Sequence, residues 1–160
     1  MNKILLVGFK GVNNASKMLV EQLSSEYVLL TNSFAGLKRD IDSLNTDYES
    51  VLMFGVDKNL TSTVRIEKCA EKDGQRIDSG IDLEKVAETL GKFGIKPYIS
   101  KEPTAYLCNE AYWYLLKKYS GSVVLIHVPT IKHFDYDYIE NMKLAFGKMD
   151  CQLTDTKGII

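Results

Sequence analysis

Lys3-Ile-Leu-Leu-Val-Gly-Phe9 is the first of several short aliphatic runs in this chain, and Tyr27–Leu30, Val51–Gly55 and Val123–Val128 follow it. Each run is bounded by polar residues or glycine, which is typical of a strand buried on both faces. Segments with helical periodicity separate the runs. The alternation predicts an α/β fold, a three-layer sandwich whose central, mostly parallel twisted sheet is covered by helices on both faces.

Five segments place apolar residues at helical spacing: Asn14–Ser24, Ser33–Leu44, Asp82–Phe93, Ala105–Lys118 and Asp135–Phe146. Two more strands are expected at Thr61–Ala70 and Lys96–Ile99, and the turn residues Asp73-Gly74 and Ser79-Gly80 indicate a loop between them. We expect a single α/β domain over residues 1–150 and a C-terminal tail over residues 151–160.

The composition of the 160-residue chain limits the classes of function. The net charge is −1 and the charged residues are spread along the chain, so the chain lacks the basic surface expected of a nucleic-acid binder. No apolar run approaches the roughly 20 residues of a membrane span. The three cysteines lack disulfide or zinc-ligand spacing, so we expect a cytoplasmic protein with no metal and no cofactor. Gly8–Asn14 also lacks the glycine pattern of a dinucleotide site.

Cys108 and His127 carry the most chemical information. The thiol stands near the start of a predicted helix, and the imidazole stands near the end of a predicted strand. A helix N-terminus and a nearby imidazolium favour a thiolate, and a base within reach of the sulfur permits covalent acyl transfer. The carboxyl ends of parallel strands share one edge of a sheet. Four segments are expected there: Gly8–Asn14, Gly55–Thr61, Ser100–Cys108 and His127–Thr130.

Each of these residues also has a structural interpretation. A lone cysteine is more often a buried packing residue, and a histidine ending an apolar strand is often a hydrogen-bonded core residue. Glu67 could orient the imidazole, or it could form a surface ion pair with Arg65 or Lys68. Asn109 and Glu102 are further candidates for contact with the base.

Several segments resemble pyroglutamyl peptidase I (pyrrolidone-carboxylate peptidase), a family of cysteine peptidases. The family's cysteine segment is similar to Gly94-Ile-Lys-Pro-Tyr-Ile-Ser-Lys-Glu-Pro-Thr-Ala-Tyr-Leu-Cys-Asn109, and its histidine segment to Ile126-His-Val-Pro129. Its acid segment resembles Val64-Arg-Ile-Glu-Lys-Cys-Ala70, and its opening resembles Gly8-Phe9 with Asn14-Ala-Ser16. The order Glu, Cys, His along the chain is also the family's order.

The resemblance implies a phosphorylase/hydrolase-like α/β sandwich and a thiol peptidase that removes pyroglutamate from the N-terminus of a peptide. It makes Cys108 the nucleophile that carries a thioester, His127 the general base and acid, and Glu67 the acid that orients the imidazole. The residues expected to bind the substrate are Phe9, Val12, Asn14, Tyr106 and Leu107.

The chain departs from the family in length and in its expected pocket. It is shorter, and the loop after Glu67 is compressed. Val12 replaces a phenylalanine of the slot that grips the pyroglutamyl ring, and Pro103-Thr104 replaces Ala-Gly before the cysteine. Two alternatives therefore stay open: a divergent member acting on another small N-acyl or lactam substrate, and a catalytically silent binding protein.

Two further interpretations are weaker. A redox-sensing cysteine would need a resolving partner, and no cysteine lies near Cys108 in the sequence. The tyrosine-rich last third of the chain could form a contact between copies in a homo-oligomer.

Overall fold

The computed structural model describes residues 3–155, without the side chains of residues 152, 154 and 155. The strands are β1 (Ile4–Phe9), β2 (Tyr27–Leu30), β3 (Ser50–Val56), β4 (Thr63–Glu67), β5 (Cys69–Lys72), β6 (Gln75–Asp78), β7 (Lys96–Ser100) and β8 (Val123–Val128). The helices are α1 (Ala15–Leu23), α2 (Phe34–Asp42), α3 (Leu83–Lys92), α4 (Tyr106–Lys118) and α5 (Tyr136–Asp155), and a 3-10 turn covers Ile131–His133.

The central sheet contains one reversal of direction. Six strands pair in the order β2-β1-β3-β8-β4-β7, and β4 is antiparallel to β8 whereas the other pairs are parallel. β4 and β7 therefore run opposite to the other four strands. The predicted α/β sandwich with a mostly parallel central sheet is confirmed, and the antiparallel pair is an addition to it.

Alternation of side chains along the strands divides the core into two layers. Leu52 and Ile126 face the layer that contains α1, α3 and α5. Met53 and Leu125 face the layer that contains α2 and α4. Both layers are built from fully buried aliphatic side chains, so burial of each face of the sheet accounts for the three-layer arrangement.

The reversal corrects the expectation that the end of β7 lies at the same edge as the end of β8. Ser100 pairs with Glu67, and Glu67 pairs with Leu125, so β7 ends toward the amino half of β8. Residues 101–105 then lead back to the level of His127, where the first turn of α4 lies.

The segment expected as one long strand followed by a loop is instead two strands and a hairpin. The strand predicted over Thr61–Ala70 breaks at Lys68, and β5 pairs antiparallel with β6 rather than joining the main sheet. Asp73 and Gly74 form the turn, with φ of 52° and 76°. Both angles are positive, as a two-residue type I′ turn requires, and Asp-Gly is a favoured pair for it.

The expected tail over residues 151–160 is corrected in its first half. α5 continues past residue 150 to Asp155, because Leu153 is buried in the core beside α1 and α3. Residues 156–160 lie outside the described residues. With 20 residues α5 is a long helix, yet no helix within residues 3–155 combines the length and apolar content of a membrane span.

Gly8 is the point where β1 approaches the backbone of α1. A Cβ added at Gly8 would lie 2.9 Å from the carbonyl oxygen of Ser16, which cannot rotate away. We expect Gly8→Ala to lower the free energy of unfolding by about 1–3 kcal/mol, measured by urea denaturation.

Gly91→Ala in α3 is the matched control, because no described atom beyond its own stretch of helix lies within 4 Å of the added Cβ. Alanine is the better helix former, so this change is expected to raise the free energy of unfolding by about 0.5–1 kcal/mol. The same sign for both substitutions would contradict the close approach at Gly8.

Candidate active site

α4 presents Cys108 to the sheet from its first turn. Tyr112 and Leu115 belong to the buried face of the helix, which packs against the sheet. Tyr112 donates its hydroxyl hydrogen to the carbonyl oxygen of Glu67 at 2.8 Å in buried surroundings. This bond ties the helix, one turn after Cys108, to the end of β4.

Gly55 lies where the thiol and the imidazole meet. A Cβ added at Gly55 would be 2.9 Å from both the Sγ of Cys108 and the Nε2 of His127. The distance between the Sγ of Cys108 and the Nε2 of His127 is therefore at most twice 2.9 Å. Gly55 pairs directly with His127 across β3 and β8. Because Gly55 has no side chain, both groups can occupy the space above it.

Glu67 completes the arrangement from the end of β4, where it is fully buried. Its Oε1 accepts a hydrogen bond from the Nδ1 of His127 at 2.8 Å and another from the Nε of Arg65 at 2.5 Å. Its Oε2 has no hydrogen-bond partner within residues 3–155. The pair of Glu67 with Arg65, expected as a surface alternative, is present, but it is buried and includes the imidazole.

The antiparallel register places these side chains. Arg65 pairs directly with His127, and Glu67 pairs with Leu125, so both side chains of β4 lie beside the imidazole. Val64 and Ile66 point to the opposite face, toward α3 and α5. Strict alternation along β4 therefore puts both charged side chains on the face covered by α4.

Arg65 and Asp57 form a second ion pair in the site, with 2.6 Å between the Nη1 of Arg65 and the Oδ2 of Asp57. Burial opposes both charges. Hydrogen bonds to Glu67, Asp57 and Tyr98 nevertheless hold the pKa of Arg65 above its usual value. Hydrogen bonds from Arg65 and from the backbone N–H of Asn59 hold the pKa of Asp57 below its usual value. Both groups are therefore charged at neutral pH.

The thiol of Cys108 does not have the lowered pKa that its place at a helix start led us to expect. Burial raises the pKa of Cys108 to about 12, the charges of Glu67 and Asp57 add to the rise, and the charge of Arg65 opposes it. A thiolate here would leave water and face two carboxylates. The sulfur is therefore protonated at neutral pH, and a reaction through its thiolate would need a base.

A cavity of about 650 Å³ opens onto Cys108 and His127. Its other lining residues come from the end of β3 and the loop after it, from β4, and from the segment that leads into the first turn of α4: Val56, Asp57, Lys58, Asn59, Arg65, Thr104, Ala105, Tyr106 and Leu107. Tyr106 and Leu107, two of the five predicted substrate-binding residues, are among them. Within residues 3–155, no group of three or more His, Cys, Asp or Glu side chains is arranged to hold a metal ion.

Phe9, Val12 and Asn14, the other three predicted substrate-binding residues, lie elsewhere. Phe9 packs in the buried core on the α2 and α4 side of the sheet. Val12 is 92% exposed in the loop before α1. Asn14 caps α1, and its Oδ1 accepts hydrogen bonds from the backbone N–H groups of Ser16 and Lys17 at 2.9 and 3.3 Å. None of these three described residues lines the cavity.

Asn109 and Glu102 do not contact the base. Asn109 donates to the carbonyl oxygen of Glu71 at 2.7 Å and accepts from the N–H of Glu71 at 3.0 Å, which fastens β5 to α4. Glu102 is exposed in the segment before α4. Asn109 therefore holds the surroundings of the site in place.

Sequence reasoning missed the roles of Gly55, Asp57 and Arg65. Gly55 and Asp57 lie at the carboxyl end of β3, an edge where polar side chains of an open α/β sheet gather, so their position was a signal. Arg65 was considered only as a surface partner of Glu67. Its role depends on the reversed direction of β4, which alternation of apolar residues does not reveal.

Gly55→Ala is expected to disrupt the site with little effect on the remainder of the fold. The added Cβ would press on the Sγ of Cys108 and the Nε2 of His127 at 2.9 Å, so one of the two side chains must move. We expect the rate of Cys108 alkylation by iodoacetamide, followed by peptide mass spectrometry, to change at least severalfold. An unchanged rate in a folded Gly55→Ala protein would contradict the convergence on this glycine.

Tyr106, the first residue of α4, has φ of 60° and is 83% exposed. A left-handed conformation costs an L residue roughly 1–2 kcal/mol, a cost that glycine avoids. We expect Tyr106→Gly to leave the free energy of unfolding unchanged or to raise it by up to about 1 kcal/mol in urea denaturation.

Tyr136→Gly is the matched control, since Tyr136 is also an exposed tyrosine at the first residue of a helix, α5, but has no positive φ. This change should lower the free energy of unfolding by about 0.5–1 kcal/mol. A larger loss for Tyr106→Gly than for Tyr136→Gly would contradict strain at Tyr106.

Comparison with solved structures finds the same architecture in peptidases. Pyrrolidone carboxyl peptidase from Thermococcus litoralis aligns with a TM-score of 0.76 and 18% identity, over 98% of this chain and 96% of that chain. Pyroglutamyl peptidase I from Bacillus amyloliquefaciens aligns with a TM-score of 0.76 and 15% identity, over 96% and 98% of the two chains. The enzyme from Thermus thermophilus gives 0.71 and 17%, over 95% and 98%.

These identities establish similarity of fold. No family model matches the sequence, and no curated protein sequence matches it significantly. The resemblance to pyroglutamyl peptidase I is thus confirmed at the level of the fold. The chain has the fold of the pyrrolidone carboxyl peptidases.

Proposed function

We propose that the protein is a cysteine exopeptidase that hydrolyses N-terminal pyroglutamate from peptides. The observation that carries the proposal is the meeting of three groups of the triad type at one point. The Sγ of Cys108 and the Nε2 of His127 converge above Gly55, and the Nδ1 of the same imidazole is hydrogen-bonded to Glu67. A nucleophile, a base and a group that orients the base are the minimum for covalent acyl transfer.

The hydrogen bond to Glu67 determines which nitrogen can act as the base. Glu67 accepts from His127, so the neutral imidazole carries its hydrogen on Nδ1 and its lone pair on Nε2. The lone pair then lies on the side of the sulfur. Because the thiol is protonated at neutral pH, we assign His127 the role of general base during attack rather than that of partner in a permanent ion pair.

The reaction proceeds in two stages. The Nε2 of His127 takes the proton from the thiol of Cys108 while the sulfur attacks the carbonyl carbon of the pyroglutamyl residue. The imidazolium then gives this proton to the leaving nitrogen, the C–N bond breaks, and a thioester remains on Cys108. Water, deprotonated by His127, attacks the thioester and releases pyroglutamate, and the proton returns to the sulfur.

The start of α4 supports the oxyanion in this scheme. No described side chain caps the helix at Ala105, and Ala105 and Leu107 line the cavity beside the thiol. Uncapped N–H groups at a helix start carry partial positive charge. Such donors, directed at a developing oxyanion, are typically worth about 3–4 kcal/mol of transition-state stabilisation each.

The charged wall of the cavity favours a second candidate substrate. Asp57, Lys58 and Arg65 line the space in front of the thiol, whereas Phe9 and Val12 lie away from it. Neither of those two residues lines this cavity. A different small N-acyl or lactam group, with polar atoms that meet this wall, is the alternative substrate for the same chemistry.

The proposal is tested with pyroglutamyl-aminomethylcoumarin under reducing conditions, by following release of the fluorescent amine. The wild-type protein is expected to turn over the substrate, and Cys108→Ser and His127→Ala are expected to lose at least about a thousandfold in kcat/KM. Cys151→Ser, which changes an exposed cysteine on α5, is the control and should keep full activity.

Each outcome of this assay separates the candidates. Equal activity in Cys108→Ser and the wild type would exclude the nucleophile. No turnover by the wild type, with Cys108 still reacting with iodoacetamide, would exclude pyroglutamate and leave the second candidate. A panel of N-acyl aminomethylcoumarins then tests that candidate directly.

A further inference from the structure

Arg65 joins three parts of the site that belong to different segments of the chain. Its Nε donates to the Oε1 of Glu67, and its Nη1 donates to the Oδ2 of Asp57 at 2.6 Å. Arg65 also lies directly opposite His127 in the β4–β8 pair. The guanidinium of Arg65 thus contacts both Glu67, which holds the imidazole, and Asp57, which lines the cavity.

The fork of the guanidinium explains why this residue type is suited to the position. Arginine presents several N–H donors in a fixed plane, so two carboxylates can be held at once with defined directions. Both oxygens that it binds are on side chains facing the cavity or the imidazole. A lysine could supply the charge but not this geometry.

Charge is the second property of Arg65 that bears on the thiol. The charged and titratable groups around Cys108 come from several elements: Glu67 and Arg65 on β4, Asp57 and Lys58 after β3, and His127 on β8. Two of them are carboxylates, which disfavour a negative sulfur. Arg65 lies between these carboxylates and contacts both.

We propose that Arg65 is a positioning residue of the site. Its guanidinium holds Glu67 against His127 and fixes the side chain of Asp57 at the cavity wall. Its positive charge offsets the charges of these two carboxylates when negative charge develops on the sulfur of Cys108. This role rests on the proposed function, since it assigns Arg65 to the same Cys108 chemistry. Arg65 itself neither attacks the substrate nor transfers a proton.

The test measures alkylation of Cys108 by iodoacetamide as a function of pH, from neutral to mildly alkaline, by peptide mass spectrometry. The exposed Cys151 is the internal reference for the reagent. In Arg65→Met the positive charge is lost, so less thiolate forms at each pH. The rate at Cys108 relative to Cys151 is expected to fall about threefold to tenfold, which corresponds to a rise of up to about one pKa unit.

Two further variants separate charge from simple support of the fold. Arg65→Lys keeps the charge but not the fork, so its pH profile should stay close to that of the wild type while turnover falls. Asp57→Asn removes one carboxylate and keeps the side-chain shape, so its profile should move the other way, with faster alkylation of Cys108. If Arg65 only supported the fold, the pH profiles of Arg65→Met and Asp57→Asn would not move in opposite directions.

A folded Arg65→Met protein with the wild-type pH profile would overturn the proposal. Where Arg65→Met does not fold, Asp57→Asn decides: faster alkylation supports the role of Arg65, and an unchanged or slower rate overturns it. Iodoacetamide needs no substrate, so these results stand whether or not pyroglutamyl-aminomethylcoumarin is hydrolysed. Failure of the proposed function and failure of this inference are therefore distinguishable.

Discussion

The antiparallel pairing of β4 with β8 is the constraint on which the site depends. It places Arg65 opposite His127 and brings Glu67 within hydrogen-bond distance of the same imidazole. With this direction of β4, Glu67 lies opposite Leu125, on the same face of the sheet as the imidazole. The β5–β6 hairpin follows β4 immediately, and its contact with α4 through Asn109 holds the end of the strand in place.

Burial of so many charges is costly unless they compensate one another. Glu67 has 1% of its side chain exposed, and removal of water from a carboxylate costs several kcal/mol. Arg65 and the imidazole of His127 offset that cost from two directions. Loss of one partner from such a buried pair typically costs about 3–5 kcal/mol, because the other charge is left alone. The same contacts that hold the imidazole therefore also stabilise the local fold.

Burial of the Cys108 thiol opposes formation of the thiolate. A cysteine at a helix start is usually a thiolate candidate, yet water exclusion and two carboxylates raise the pKa of Cys108 to about 12. The sulfur lies above Gly55 at the wall of the cavity, in largely buried surroundings that disfavour a thiolate. An enzyme with this arrangement would form its thiolate only together with proton transfer to His127, which makes the hydrogen bond that His127 donates to Glu67 essential to the base.

The strands and helices of this chain were predictable because their apolar periodicity is strong, and the Cys108, His127 and Glu67 segments could be identified from the sequence alone. The β6 strand was not, because its residues are polar and mostly exposed and it exists only by pairing with β5. The position of Phe9 in the core, the place of Arg65 between two carboxylates and the high pKa of the thiol were decided by the tertiary structure. Each depends on strand direction and on exclusion of water, which are properties of the packed chain and not of any local segment.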